Sequence, residues 1–214
     1  GAASARPPHT LTMAPAQPDG SARWGGVSYD TATSRRVVAK EEPSVSNQLR
    51  GKCAIVTGAG RGIGKAIAEA YGHAGASVGC LARTRAEVDE TAAAIERQGS
   101  RALAVSVDVR DAVAIDRAFA QVAETLGGLD IIVINAGINA ARGPVTETDP
   151  RAWAETVETN LVGAYHCARA AIPHLRRRGA GKIITVGSGL GHRGVPARSA
   201  YACSKAGLWM LTRV

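Results

Sequence analysis

The sequence of 214 residues has few aromatic residues and few cysteines. Phe, Trp and Tyr together make up 4% of it, so a hydrophobic core must be built from Ala, Val, Ile and Leu. The cysteines form no CxxC pair, and no histidine stands near one at zinc-finger spacing. They are Cys53, Cys80, Cys167 and Cys203. This pattern predicts reduced thiols in a reducing compartment and no bound metal.

Long apolar runs and acidic residues are also scarce. No apolar stretch approaches the roughly 20 residues that a membrane span requires, so we expect no membrane partner and a cytoplasmic location. Lys and Arg outnumber Asp and Glu by 26 to 18, which gives a net charge of +8. The one basic run, Arg176–Arg178, follows a helical stretch, where the helix dipole favours cations. We therefore expect a solvated helix end there and no nucleic-acid partner.

Residues 1–49 differ in composition from the rest of the chain. They contain Pro7-Pro8, Pro15, Pro18 and Gly25-Gly26 among many Ser, Thr and Ala, without hydrophobic periodicity. This composition predicts a mostly disordered leader. Because the segment has Arg and Ser but few acids, an organelle transit peptide is the minor alternative to a cytoplasmic location. The folded domain is expected over residues 50–214.

From residue 51 onward, short apolar runs alternate with amphipathic helical stretches. The predicted strands are Cys53–Thr57, Ser77–Ala82, Ala102–Val107, Leu129–Ile134 and Lys182–Val186. Strands that are apolar nearly throughout and separated by helices are typical of a parallel sheet covered on both faces. The sequence therefore predicts a doubly wound, Rossmann-type α/β domain with three αβα layers. Ligands of such sheets bind at the carboxyl edge of the strands.

Local start signals place the helices between these strands. Thr84 and Glu87 have the spacing of a capping box, and Asp149-Pro150 combines an N-cap with proline at the first helical position. The predicted helices run from the first turn to about Ala74, from Thr84 to about Gln98, over Asp111–Leu126, from Asp149 to about Arg178 in two pieces, and onward from near Ser199.

A glycine-rich turn lies between the first strand and the first helix. It reads Thr57-Gly58-Ala59-Gly60-Arg61-Gly62-Ile63-Gly64. Glycines permit a tight turn and let a pyrophosphate approach the backbone, and the helix N-terminus adds free N–H groups and partial positive charge. The position of this turn predicts dinucleotide binding by Gly58, Gly60, Arg61, Gly62, Ile63 and Gly64.

The end of the second strand bears on which dinucleotide is bound. An acid there usually holds the ribose 2′-hydroxyl of NAD, but the sequence reads Leu81-Ala82-Arg83-Thr84. Arg83 and Arg61 can instead form charge-assisted bonds to a 2′-phosphate. We therefore favour NADP(H) over NAD(H); the alternative is that both arginines are solvated surface residues.

Six elements together resemble the short-chain dehydrogenase/reductase family, in its common branch of about 250 residues. The glycine turn matches TGxxxGxG, and Asp108-Val109 matches the pair that contacts adenine. Asn135-Ala136-Gly137 matches the end of NNAG, with Ile134 in place of the first Asn. Asn160, Ser188 and the YxxxK pair Tyr201 and Lys205 match the catalytic residues. The resemblance covers about residues 50–214.

The resemblance implies hydride transfer between a nicotinamide and a ketone or secondary alcohol. Tyr201 would be the general acid or base, because a nearby ammonium stabilises a phenolate. Lys205 would supply that charge and hold the nicotinamide ribose, and Ser188 would bond the substrate oxygen. Asn160 would support a water that links Lys205 to solvent. The resemblance also implies a homodimer or homotetramer, through the helix after the fourth strand and the YxxxK helix.

Several alternatives remain open at this stage. The chain stops inside the YxxxK helix, and five of the family's seven strands are represented, so we expect a domain that lacks its last strands. A truncated, inactive nucleotide-binding fragment or association module is the alternative function. An enoyl reductase or epimerase of another branch is weaker. Ser188 could be only a turn residue, Asn160 only a helix cap, and His192 only an exposed loop residue.

Overall fold

The computed structural model describes residues 47–214 and, before them, the strands β1 (Ser21–Trp24) and β2 (Val27–Asp30). Residues 1–44 and 45–214 form two separate units. In the first unit β1 and β2 pair in antiparallel fashion, with Ser21 opposite Asp30 and Trp24 opposite Val27. The sequence analysis did not predict these strands, although Gly-Gly between two short runs is a hairpin signal. Of the rest of the predicted leader, residues 47–49 lie in a turn, and the others lie outside the described residues.

The second unit contains a five-stranded parallel sheet. Its strands are β3 (Cys53–Thr57), β4 (Ser77–Ala82), β5 (Ala102–Ser106), β6 (Ile131–Ile134) and β7 (Lys182–Thr185). The spatial order is β5-β4-β3-β6-β7. The chain moves outward from β3 to β5 and then returns to place β6 on the other side of β3, so the strand order reverses between β3 and β6. The predicted fold class is confirmed.

Helices cover both faces of this sheet. They are α1 (Gly62–His73), α2 (Arg85–Arg97), α3 (Ala112–Leu126), α4 (Pro150–Val157), α5 (Gly163–Arg177) and α6 (Ser199–Arg213). A π-helical turn, Glu158–Val162, joins α4 to α5, and a 3₁₀ turn, Gly189–Gly191, follows β7. All of β3 is buried, and its side chains alternate between two hydrophobic clusters. One cluster includes residues of α1 and α2, and the other includes residues of α3, α5 and α6.

The predicted helix starts at Asp111 and Asp149 are confirmed, and the predicted capping box at Thr84 is not formed. The Asp111 carboxylate accepts a hydrogen bond from Ala114 N at 2.9 Å, and Asp149 caps α4 ahead of Pro150. The predicted capping box at Thr84 is wrong, because the Thr84 side chain makes no capping hydrogen bond. Glu87, its expected partner, lies instead against Gly60 of the glycine turn. The predicted helix start is nevertheless confirmed, because α2 begins at Arg85 with Thr84 as its N-cap residue.

Candidate nucleotide and proton-transfer site

A cavity of about 490 Å³ lies at the carboxyl edge of the sheet. Twelve of the residues predicted to bind or act there line it. They are Gly58, Arg61, Ile63, Gly64, Arg83, Asp108, Val109, Asn135, Ala136, Gly137, Tyr201 and Lys205. Gly60, Gly62, Asn160 and Ser188 lie in or next to the same loops but do not line the cavity. The fold thus brings together residues that are more than 140 positions apart in the chain.

The glycine turn forms a cradle that side chains would fill. Gly58 has a φ of +67°, and a Cβ on it would lie 2.9 Å from Asn135 Nδ2. A Cβ on Gly64 would collide with the carbonyl oxygen of Gly58. Helix α1 begins within the turn, at Gly62, so its first N–H groups are available to an anion. The turn therefore fits the pyrophosphate of a dinucleotide.

Thr57 and Asn135 join β3 to the end of β6. Thr57 is fully buried, and its Oγ1 accepts hydrogen bonds from Asn135 N at 3.0 Å and Ala136 N at 3.1 Å. Asn135 Nδ2 donates in return to Thr57 O at 2.9 Å. Ile134, which stands where the family has a first Asn, is buried in the core. The loop is therefore held by Asn135 and Thr57 without an amide at position 134.

The nucleotide side of the cavity carries several charged groups. Arg61 and Arg83 are exposed, and neither forms an ion pair with a residue that the structure describes. Asp108 is held differently, because its carboxylate accepts hydrogen bonds from Arg110, at 2.7 Å from Nη2. Arg110 also reaches Glu155 at 3.2 Å. Bonding to Arg110 lowers the pKa of Asp108 below its usual value, so Asp108 remains charged.

Tyr201 and Lys205 lie one turn apart on α6. Lys205 Nζ is 5.7 Å from the centre of the Tyr201 ring and donates a hydrogen bond to Val186 O at 2.7 Å. Lys205 forms no ion pair with an acid among the described residues, and it is only 4% exposed. Burial lowers the pKa of its ammonium from the usual 10.5. Burial therefore makes the charged form of this amine, which lies beside a phenol, costly in solvation.

Asn160 lies in the π-helical turn and is 1% exposed. Its Oδ1 accepts from Ile138 N at 2.7 Å, and its Nδ2 donates to Ile138 O at 2.9 Å and to Ser204 Oγ at 3.0 Å. Ser204 stands on α6 between Tyr201 and Lys205. The Asn160 side chain therefore links the loop after β6 to α6, beneath the cavity. π-Helical turns of this kind are frequent at functional sites.

The loop after β7 packs closely against α6. Ser188 Oγ accepts from Leu190 N at 3.2 Å, which caps the 3₁₀ turn. Gly191 approaches α6 so closely that a Cβ on it would lie 2.8 Å from the carbonyl carbon and oxygen of Lys205. His192 stands edge-on to Trp209, with ring centres 5.1 Å apart. This packing fixes Ser188 relative to the helix that carries Tyr201.

Nine residues that line the cavity were not among the predicted site residues, and two of these nine carry unpaired polar atoms. Asn139 Oδ1 and Thr159 Oγ1 are buried and have no hydrogen-bond partner among the described residues. Both residues line the cavity. Their positions, directly after Ile138 and directly before Asn160, were the only sequence signal that could have found them. Unpaired buried oxygens are costly, so a polar ligand or water that bonds them would be stabilised here.

Other kinds of site find no support in the described part of the chain. The described residues include no group of three His, Cys, Asp or Glu side chains that could hold a metal ion. Within residues 47–214, no helix is both long and apolar enough to cross a membrane. The four cysteines are unbridged, and only Cys203 is exposed. The doubly wound sheet and the glycine turn beside its reversal point define a Rossmann-type nucleotide-binding fold.

Comparison with known proteins identifies the family. The sequence pattern of the short chain dehydrogenases matches residues 52–214. The chain is 37% identical over 162 residues to the cis-4-hydroxycyclohexanecarboxylate dehydrogenase of Sinomonas cyclohexanicum, covering 76% of this chain and 65% of that protein. The chain belongs to the short-chain dehydrogenase family, and the resemblance seen in the sequence is confirmed. Membership implies a nicotinamide cofactor.

Solved structures agree with this assignment. A 3-ketoacyl-ACP reductase from Sinorhizobium meliloti 1021 is 39% identical, with a TM-score of 0.72, over 74% of this chain and 63% of that one. Carveol dehydrogenase from Mycobacterium avium, in complex with NAD, is 29% identical, with a TM-score of 0.76, over 78% of this chain and 65% of that one. The chain spans between about half and two thirds of the length of the curated relatives it matches.

Proposed function

We propose that the full-length protein is an NADP(H)-dependent oxidoreductase that transfers a hydride between the nicotinamide and a ketone or secondary alcohol. The observation that carries this proposal is a phenol paired with a buried ammonium in the cavity that the glycine turn also lines. Bound nicotinamide would supply or accept the hydride. The non-catalytic alternative is not favoured, because the matched family consists of dehydrogenases and reductases and the chain retains the Tyr–Lys pair.

Tyr201 is the proposed general acid and base. An ammonium close to a phenol stabilises the phenolate, which makes proton release easier. Tyr201 Oη would give a proton to a carbonyl oxygen during reduction and take one from an alcohol during oxidation. Of the three N–H groups on the Lys205 ammonium, one is donated to Val186 O. The others are free to hold the nicotinamide ribose.

Ser188 and Asn160 have supporting roles in this proposal. Because Ser188 Oγ accepts its hydrogen bond from Leu190 N, its own O–H remains available to the substrate oxygen. That bond would stabilise negative charge developing on the oxygen. Asn160 would act by holding Ile138 against α6, which keeps the path between Lys205 and solvent in place.

The preference for NADP(H) is argued from Arg61 and Arg83. Both line the cavity, and neither has an acidic partner among the described residues. Guanidinium groups form strong charge-assisted bonds to phosphate. Asp108 and Val109 would contact the adenine. Carveol dehydrogenase carries NAD, so the preference rests on this chain's own charges and not on its relatives.

The proposed substrate lies between two loops, residues 139–145 and 189–199. Gly143 N donates to Ala197 O at 3.2 Å, so the two loops touch. Val145 and Val195 are 75% and 39% exposed on them. These apolar side chains favour a substrate that is apolar in part, such as a 3-oxoacyl thioester, a sugar-derived ketone or a secondary metabolite.

The proposal includes a homodimer or homotetramer of the full-length protein. Ile172 on α5 and Trp209 and Met210 on α6 are exposed by 37% to 51%. Large apolar side chains on neighbouring helices favour burial against another subunit. Light scattering of the full-length protein would measure the assembly, and a monomer at micromolar concentration would contradict this part.

Hydride transfer is tested with the full-length protein and a panel of ketones. We expect NADPH to be oxidised with at least one partly apolar ketone, and NADH to serve less well. Loss of absorbance from the reduced nicotinamide and chromatography of the alcohol measure the two products. Failure of every ketone and every secondary alcohol, with both cofactors, would contradict the proposed function.

A further inference from the structure

Glu87 occupies a position beside the glycine turn that the proposed function does not use. A Cβ on Gly60 would lie 2.7 Å from both Cβ and Oε2 of Glu87. Gly60 is buried, whereas Glu87 is half-buried and lines the nucleotide cavity. Only glycine at position 60 leaves room for this arrangement. The carboxylate is therefore built into the wall of the cavity and does not simply extend from the helix surface.

No interaction within the described residues explains this carboxylate. The capping box that would have used it at Thr84 is not formed. Its oxygens form no ion pair, although Glu90, on the same helix, pairs with Lys65 at 2.7 Å. Its position in the first turn of α2 is favourable for a negative charge. Among the described residues, the Glu87 carboxyl group is thus unpaired and faces a ligand cavity, where its oxygens can accept hydrogen bonds.

The same wall carries charges of both signs. Arg61 and Arg83 line the cavity together with Glu87 and Thr84. The guanidinium groups attract a ribose 2′-phosphate, and the carboxylate repels it. A ribose 2′-hydroxyl, in contrast, can donate a hydrogen bond to the carboxylate. The two kinds of residue therefore act in opposite directions on the choice between phosphorylated and unphosphorylated cofactor.

We propose that Glu87 is a specificity-determining residue that restrains the preference for NADP(H) and lets the site accept NAD(H) as well. This inference rests on the proposed function, because it requires the cavity to bind a nicotinamide dinucleotide. Glu87 supplies, from the first turn of α2, the acid that the sequence lacks at the end of β4. Arg83 and Glu87, four residues apart, act as opposed determinants.

The test measures the dissociation constants of NADPH and NADH by calorimetry on the full-length protein. In Glu87→Gln we expect NADPH to bind more tightly and NADH more weakly, so that the ratio of the two constants changes about tenfold. The gain for NADPH should shrink at high ionic strength, since it comes from removed repulsion. Glu96→Gln, on the same helix but outside the cavity lining, should leave both constants unchanged.

Arg83→Gln should change the ratio in the opposite direction, by weakening NADPH alone. A ratio that is the same in wild type and Glu87→Gln, with both proteins folded by thermal melting, would overturn the inference and leave the proposed function standing. If wild type binds neither cofactor, the proposed function fails and this inference fails with it.

Discussion

The two ends of the parallel sheet differ in whether their polar groups are bonded within the protein. At the amino end, Asp130 accepts hydrogen bonds from Cys53 N at 2.9 Å and from Arg178 at 3.0 Å, with Lys52 at 3.5 Å. At the carboxyl end, Arg61, Arg83 and Glu87 have no charged partner among the described residues, and Asn139 Oδ1 and Thr159 Oγ1 have no hydrogen-bond partner. The amino end satisfies these polar groups within the protein, whereas the carboxyl end leaves several of its polar groups available to a ligand.

The electrostatics of the two ends follow the same contrast. Burial alone would raise the pKa of Asp130, but hydrogen bonds from Arg178 and Cys53 N outweigh it and hold that pKa below its usual value. Burial lowers the pKa of Lys205, and no acid among the described residues offsets this effect. The charge of Asp130 therefore stabilises the fold at the amino end, whereas the buried ammonium of Lys205 destabilises it at the carboxyl end. Substitutions at the two ends should separate stability from function.

The largest effect is expected for Tyr201→Phe, at the carboxyl end. Turnover should fall about a thousandfold, or about 4 kcal/mol, because the proton donor is removed. The melting temperature and the NADPH dissociation constant should stay close to wild type. Tyr165→Phe, an exposed tyrosine on α5, is the matched control. Undiminished turnover in Tyr201→Phe would remove Tyr201 from its proposed role.

The next largest effect is expected for Asp130→Ala, at the amino end. The substitution leaves the Cys53 N–H and the Arg178 guanidinium without their acceptor, so the free energy of unfolding should fall by about 2 kcal/mol. Cofactor binding should not change. Denaturant unfolding measures the loss, with Asp116→Ala as control, since its ion pair with Arg169 is exposed and is worth less than about 1 kcal/mol. Equal losses in the two variants would contradict the contrast between the ends.

The substitution Thr57→Val tests a buried residue that we expect to serve both stability and cofactor binding. It keeps the shape of the side chain but removes the acceptor of two backbone N–H groups at the end of β6. We expect a loss of about 1 to 2 kcal/mol in the free energy of unfolding together with weaker NADPH binding. Thr125→Val, an exposed site on α3, serves as control. A variant that loses stability but binds NADPH normally would show that the loop is held by other contacts.

The smallest effect concerns the pH dependence of stability. The pKa of Lys205 is lower in the folded protein than in the unfolded chain, so the unfolded chain binds more protons at pH values between the two. The stability of the wild type relative to Lys205→Met should therefore rise as pH approaches 10.5 from below. Chemical unfolding of both proteins at several alkaline pH values measures this. A difference that does not change with pH would contradict a desolvated ammonium at this position.

Much of the fold can be predicted from the sequence because the strands have a recognisable local pattern of apolar residues. The five strands of the sheet are apolar nearly throughout, and Asp111 and Asp149 mark helix starts that the structure contains. Thr84 also stands at the start of a helix, but the capping-box bond is not formed, and Glu87 lies against Gly60, more than twenty residues away in the chain. The local sequence pattern identifies an acid near a helix start, but it does not predict which distant segment of backbone that acid will contact.

The site is only partly predictable for a similar reason. Twelve of the residues that line the cavity could be named from the sequence, but their hydrogen-bond partners within the protein could not. The Asn160 amide donates hydrogen bonds to Ile138 O and Ser204 Oγ, and Lys205 donates to Val186 O. These contacts depend on how the loop after β6 meets α6. Asn139 and Thr159 belong to no motif, so their unpaired oxygens can be recognised only in the folded structure.

In the proposed function, the cavity at the carboxyl edge holds the dinucleotide with its nicotinamide against Tyr201. A crystal structure of the full-length protein with NADPH measures this directly. We expect the pyrophosphate at Gly58–Gly64, the adenosine near Arg83 and Glu87, and the nicotinamide ring in contact with Tyr201 Oη. A dinucleotide bound elsewhere, or a Tyr201 hydroxyl directed into solvent away from the nicotinamide, would contradict it.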